Sequence, residues 1–173
     1  TPMLDMILEH VPSPDVEKDA PFSMLSVLIE SDPYLGRILT GRIQSGTLTP
    51  NMAIKALNLK GEMVEQGRAA KILAFRGLER MPIEKGEAGD IVAIAGLTKA
   101  TVADTICAPE VTTSMEAQPI DPPTLTMTVC INDGPLAGTE GDKVTSRVIR
   151  DRLFKEAEGN VALRIEETED RDS

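Results

Sequence analysis

Between Phe22 and Glu110 every apolar stretch is cut short by a turn built from Gly, Pro, Asn or Asp. Phe22–Glu30 and Leu35–Ile43 are rich in apolar and branched residues, and Ser31-Asp32-Pro33 separates them. Gln44-Ser45-Gly46 and Thr49-Pro50-Asn51 follow, then Met52–Leu59, whose alternation is imperfect. Lys60-Gly61-Glu62 and Gln66-Gly67 read as further turns. Ala69–Gly77, Gly89–Leu97 and Asp104–Cys107 complete the set. Short strands at this spacing predict a mainly β unit, a closed barrel or a sandwich, over residues 15–116. Closure removes exposed strand edges, which favours the barrel.

The flanks read differently. In residues 1–14, Met3, Met6 and Ile7 have helical spacing, and Pro12 and Pro14 end any helix. A helix this short is marginal alone, so it reads as the tail of an element lying upstream. Residues 117–123 hold Pro119, Pro122 and Pro123, a stiff linker with few backbone donors.

Residues 124–173 form the last unit. Leu125, Met127, Val129 and Ile131 alternate with polar residues, which predicts a strand. Val144, Val148, Ile149, Leu153 and Ala157 predict a helix with one apolar stripe, stopped by Gly159-Asn160. Val161, Leu163 and Ile165 predict a second strand. The result is a partial α+β unit, a split β-α-β arrangement short of its partner strands. The expectation is a chain cut from a longer polypeptide at both ends, whose open strand edges lead to self-association or to disorder after residue 124.

Composition narrows the function. The 173 residues suit one large domain or two small ones. A net charge of -10 argues against blanket nucleic-acid binding, which needs surplus Lys and Arg. Aromatics at 2%, with no Trp, one Tyr and three Phe, argue against a base-stacking surface of the kind that grips single strands. The longest apolar runs, such as Ile91–Leu97, are too short for a membrane helix, so no membrane partner is expected. Cys107 and Cys130 read as buried, reduced thiols. His10 is the one histidine, so a Ser/His/Asp triad or a histidine metal site has too few members within one chain.

Nucleotide hydrolysis finds no support. No Gly-Lys pair occurs, so no phosphate-cradling GxxxxGK[ST] loop is present, and the Asn-Lys-x-Asp pattern for guanine is missing. Glu166, Glu167 and Glu169 lie in a polar end and read as solvated charge. Charge is uneven, however. Residues 35–80 carry a net +5 through Arg37, Arg42, Lys55, Lys60, Arg68, Lys71, Arg76 and Arg80. That stretch reads either as ordinary surface or as a phosphate-contacting face. Arg37 and Arg42 are five residues apart, an odd spacing that aims them to opposite faces of a regular strand. Only a bulge allows both to contact one ligand. The loop 134–141 ahead of Thr145-Ser146-Arg147 reads either as an anion site at a helix start or as a plain connection.

Three stretches carry a family resemblance: HVPSPD (residues 10–15), GRILTGRIQSGTL with GEAGDIVAIAGL (36–48 and 86–97), and GTEGDKVTSRVIRDRL with NVALRIEETED (138–153 and 160–170). Together they resemble the TypA/BipA family of ribosome-associated translational GTPases. The middle pair resembles the second, β-barrel domain shared with elongation factors Tu and G. The third resembles the start of the third domain. The sequence departs from the family pattern at Pro50-Asn51 and at Asp142-Lys143.

The resemblance implies an elongation-factor-like closed β-barrel followed by a partial, ferredoxin-like α+β unit. It implies a cytoplasmic, non-catalytic fragment of a GTPase, with GTP and Mg held by an upstream domain outside this chain. The implied partners are the ribosome, through small-subunit rRNA, and that upstream GTPase domain. The implied rRNA contacts are Tyr34, Arg37, Arg42 and Arg76 around the Ser31–Gly36 turn. Thr145, Ser146 and Arg147 are the implied contacts of the third domain. The alternatives are a stand-alone β-barrel protein-interaction module and, last, an enzyme acting through carboxylates.

Overall fold

The structure is a computed structural model and describes residues 1–12, 16–132, 134–139 and 145–167. Ten strands follow a first helix: α1 (Pro2–His10), β1 (Ser23–Asp32), β2 (Gly36–Ser45), β3 (Thr47–Leu48), β4 (Ala53–Leu57), β5 (Met63–Arg68), β6 (Lys71–Arg76), β7 (Glu79–Pro82), β8 (Gly86–Glu87), β9 (Ile91–Ala95) and β10 (Thr105–Cys107). A second helix, α2 (Ser146–Gly159), comes last. Eight strands form one antiparallel sheet in the order β5-β4-β10-β1-β2-β9-β6-β7, and β3 pairs with β8. The chain is mainly β, with the predicted barrel at its centre.

Alternation builds the core. Met24, Leu39, Ile43, Ile54, Ile72, Val92, Ile94 and Ile106 come from six strands and meet in one buried cluster. Each such side chain contributes about 1.5–3 kcal/mol when removed from water. The opposite face of β2, β6 and β9 is not bare. Ile38, Leu73, Ala93 and Ala95 form a second buried cluster, with Leu35 packed against it.

The ladder runs from β5 to β7, so a seam closes the barrel without strand pairing. Two glycines make the seam possible. A Cβ on Gly96, whose φ is +128°, would lie 2.2 Å from the Arg68 carbonyl oxygen, and one on Gly67 would lie 3.0 Å from Leu97. The ends of β5 and β9 therefore touch backbone to backbone. The Glu65 carboxylate secures the same seam. It accepts the N–H groups of Thr98 (3.0 Å), Lys99 (2.6 Å) and Ala100 (2.6 Å) in the loop after β9.

The segments outside the barrel depart from expectation. Residues 124–132 and 160–167 belong to no ladder among the described residues, although both alternate. A strand exists only through its partner, and among the described residues no neighbouring strand supplies one. Leu125 and Met127 are exposed. Only the helix of the expected β-α-β unit forms, with Ile149, Leu153 and Ala157 half-buried along its stripe and Val148 exposed. Cys130 is exposed with its segment, contrary to the sequence reading, whereas Cys107 is buried. Helix α1 buries none of its residues.

Candidate functional site

The sequence-predicted contact residues sit on two hairpins. β1 and β2 form the longest, joined through Pro33, Tyr34 and Leu35. Pro33 fixes one φ, and Gly36 takes the left-handed conformation (φ +71°) that closes the turn. Asp32 completes the lock. Its Oδ1 accepts the N–H of Tyr34 at 2.7 Å and of Leu35 at 2.8 Å. Those two hydrogen bonds hold the Asp32 carboxyl below its usual range, with a small contribution from Lys71. Tyr34 stands at the tip, 95% exposed.

Arg37 and Arg42 diverge. Between Arg37 and Arg42 the extra residue of the ladder is Val27 on β1, between the pairs Ser26↔Gly41 and Leu28↔Thr40, and a second irregularity, at Gln44 on β2, lies beyond Arg42. β2 itself pairs with β9 without interruption from Ile38↔Ala95 to Arg42↔Ile91. Arg37 therefore shares the core side with Leu39 and Ile43, while Arg42 points out. The Arg37 guanidinium turns into the barrel end and donates to the Ala100 carbonyl at 2.9 Å. Arg42 is exposed among exposed Val27, Leu28 and Ile91. The two arginines do not share a surface.

Arg76 ends β6, opposite Glu79 in the second hairpin, and its side chain lies outside the described part of the structure. Gly77 (φ +67°) and a fully exposed Leu78 form that hairpin's tip. Its base is tied to the first hairpin by Arg80. The Arg80 guanidinium forks both Glu30 oxygens at 2.5 Å and lies 4.9 Å from the Phe75 ring centroid. The Arg80 fork, then its charge, hold Glu30 below the usual carboxylate range against the cost of burial. Sequence reasoning did not single out Arg80. Nothing local signals a partner 50 residues away.

Thr145, Ser146 and Arg147 are exposed at the start of α2. Thr145 is the N-cap residue without a side-chain capping bond, and no acid occupies the first turn. They are remote from the hairpin tips in the chain, but α2 itself reaches the first hairpin. Ser31 donates to Glu158 at 3.4 Å. An open groove runs between them, lined by Asp32, Pro33, Arg150, Asp151, Lys155 and Glu158. Among the described residues no cluster of His, Cys, Asp and Glu is arranged to hold a metal ion.

Comparison with known proteins gives these features a context. Residues 36–107 match the family described as Elongation factor Tu domain 2. The whole chain aligns at 43% identity with the Large ribosomal subunit assembly factor BipA of Escherichia coli K12. The proteins of the same name from Haemophilus influenzae and Synechocystis are 43% and 40% identical over 99% and 97% of the chain. The chain spans 28% of the length of each of these relatives.

Proposed function

The chain belongs to the TypA/BipA family of translational GTPases, and from that premise we propose that it is the ribosome-contacting, non-catalytic segment of a longer cytoplasmic GTP-hydrolysing factor. The observation that carries the reading is the end-to-end identity with a ribosomal assembly factor. The barrel also exposes Tyr34 and Arg42 on its longest hairpin, Arg42 within the matched stretch. GTP and Mg belong to a domain outside this chain, and the segment's part is binding and relay. The barrel docks on small-subunit rRNA through the β1–β2 hairpin and positions the GTPase domain. Arg42, with Arg76 beside the second tip, supplies phosphate contacts. Arg37 has its internal bond to Ala100, so its contribution is to hold the hairpin's base. Thr145, Ser146 and Arg147 face the remainder of the parent protein. The relatives' name refers to the large subunit, so the choice of subunit is the sharpest part to test.

The experiment is co-sedimentation of the full-length parent with separated ribosomal subunits across a salt series. The expected result is pelleting with the small subunit that weakens with salt, and a further loss in Arg42→Glu. Pelleting with the large subunit alone would overturn the small-subunit contact. Unchanged pelleting of Arg42→Glu would remove that residue from the interface.

One observation favours a second reading, a protein-interaction barrel. Val27 and Ile91 flank Arg42 and are 63% and 59% exposed. Nuclease-resistant binding of the barrel to a purified ribosomal protein, lost in Ile91→Ser, would favour it over rRNA docking.

A further inference from the structure

We infer that Tyr34 is a stacking platform for a single unpaired nucleobase, and that the turn carrying it is built against phosphate. The inference rests on the rRNA-docking reading and deepens it. The turn is pinned before any ligand arrives, by Pro33, by left-handed Gly36 and by the two Asp32 hydrogen bonds. With the backbone of the turn already held and Tyr34 95% exposed, docking a flat partner on the ring orders only the two side-chain torsions of Tyr34. Its phenol ring is the one tyrosine in the chain. Few aromatics exclude a strip that grips several bases, but they do not exclude one platform for one base.

The charges around the tip select the class of ligand. A phosphate clamp needs cations free to face outward. The nearest arginine in sequence, Arg37, turns inward to Ala100. Asp32 is an anion favoured by the N–H bonds of Leu35 and Tyr34, and it offsets the Lys71 charge that acts on it. Across the groove Arg150 lies 3.8 Å from Asp151, and Lys155 shares the lining with Glu158. The tip is thus apolar and flat in shape and close to neutral in charge. It suits a base splayed out of a helix and disfavours the backbone. Arg42, on the outer face of β2, is the contact that meets phosphate.

The test uses the full-length factor bound to the ribosomal subunit it pellets with. The dissociation constant is measured over a salt series for wild type, Tyr34→Ala, Tyr34→Phe, Tyr34→Leu and Arg42→Ala. Tyr34 packs against nothing, so these variants fold, which circular dichroism checks. The expected result is a loss of about fivefold or more for Tyr34→Ala with an unchanged salt slope, and near-wild-type binding for Tyr34→Phe. Arg42→Ala instead lowers the slope by roughly 0.7–0.9. Base-specific chemical probing shows one unpaired nucleotide losing protection in Tyr34→Ala. Wild-type affinity for Tyr34→Ala beside a reduced slope for Arg42→Ala sinks the stacking platform and leaves rRNA docking standing. Rescue by Tyr34→Leu equal to Tyr34→Phe also overturns it, because any apolar side chain would then serve. If the wild-type factor pellets with neither subunit, the docking reading itself fails.

Discussion

Arg80 and Glu30 form a two-pronged ion pair although three strands, β2, β9 and β6, separate them in the sheet. Such a contact requires the sheet to fold over the Ile38–Leu73–Ala93–Ala95 cluster. The pair therefore clamps the β6–β7 hairpin onto the base of the β1–β2 hairpin. Arg80→Ala is expected to cost about 1 kcal/mol, the upper end for a partly solvated pair, because the geometry is bidentate. Hydrogen exchange should quicken in residues 76–82 and less elsewhere. Glu30's folded pKa is depressed, so this contribution is present above its unfolded pKa and is lost as pH falls through the folded value. Uniform exchange in wild type and Arg80→Ala would remove the clamp.

Glu65 holds the barrel seam by a different device. One carboxylate receives three successive backbone N–H groups that have no strand partner in the loop after β9. Burial pushes its carboxyl up, but these hydrogen bonds win and hold it below the usual range. Glu65→Ala leaves the donors without their acceptor and should cost about 2 kcal/mol. Glu65→Gln retains an acceptor and should cost less. As with Glu30, the stabilisation is present at neutral pH and disappears in acid. Urea denaturation of both variants at neutral pH checks the order.

Asp104 runs the other way. Burial, helped by the negative Glu65 nearby, pushes its carboxyl up against the hydrogen bond from the Thr101 N–H at 2.8 Å. A raised folded pKa means the native state holds the proton more tightly, so this group loses stability as pH rises from its unfolded value through its folded value. At neutral pH its charge is a burden. Asp104→Asn keeps an oxygen for Thr101 and removes that charge, so the urea midpoint at neutral pH should rise. Glu65→Gln should also lower the Asp104 pKa, measurable by carboxyl chemical shift. A fall in the Asp104→Asn midpoint would show that the charged form serves the loop.

The sequence made β1, β2, β4, β6, β9 and β10 legible because their apolar residues alternate and their turns carry Gly, Pro and Asn. It hid β5 and β7. Met63–Arg68 has little apolar pattern and contains the Gln66-Gly67 pair that reads as a turn, and Glu79–Pro82 ends in a proline. Both are edge strands of the main sheet, created by pairing with β4 and β6 rather than by their own propensity. The converse error came at Thr124–Ile131, where clean alternation stands without a ladder. In the candidate site, the odd spacing already separated Arg37 from Arg42. Which strand carried the bulge was not legible, because Val27 differs from its neighbours only through its register against Gly41. A Cβ on Gly41 would sit 2.0 Å from the Leu25 carbonyl oxygen, a constraint that appears only once the strands are paired. The Glu30–Arg80 and Glu65–loop contacts join distant segments and leave no local trace.

The two cysteines separate the barrel from the chain that follows it. Cys107 is buried on β10, where desolvation, more than the charges of Lys55 and Glu110, shapes its thiol and raises its pKa. The thiolate is the reacting species, so this thiol is protected both by access and by protonation. Cys130 lies in the exposed segment with Leu125 and Met127. Native alkylation with iodoacetamide at neutral pH should therefore modify one thiol, and urea should release the second. Peptide mapping should place the fast adduct on Cys130. In the full-length parent, pairing of residues 124–131 with strands outside this chain should slow that adduct and leave Cys107 unchanged. Equal rates for Cys130 in chain and parent would mean that this segment stays solvent-facing in the whole protein.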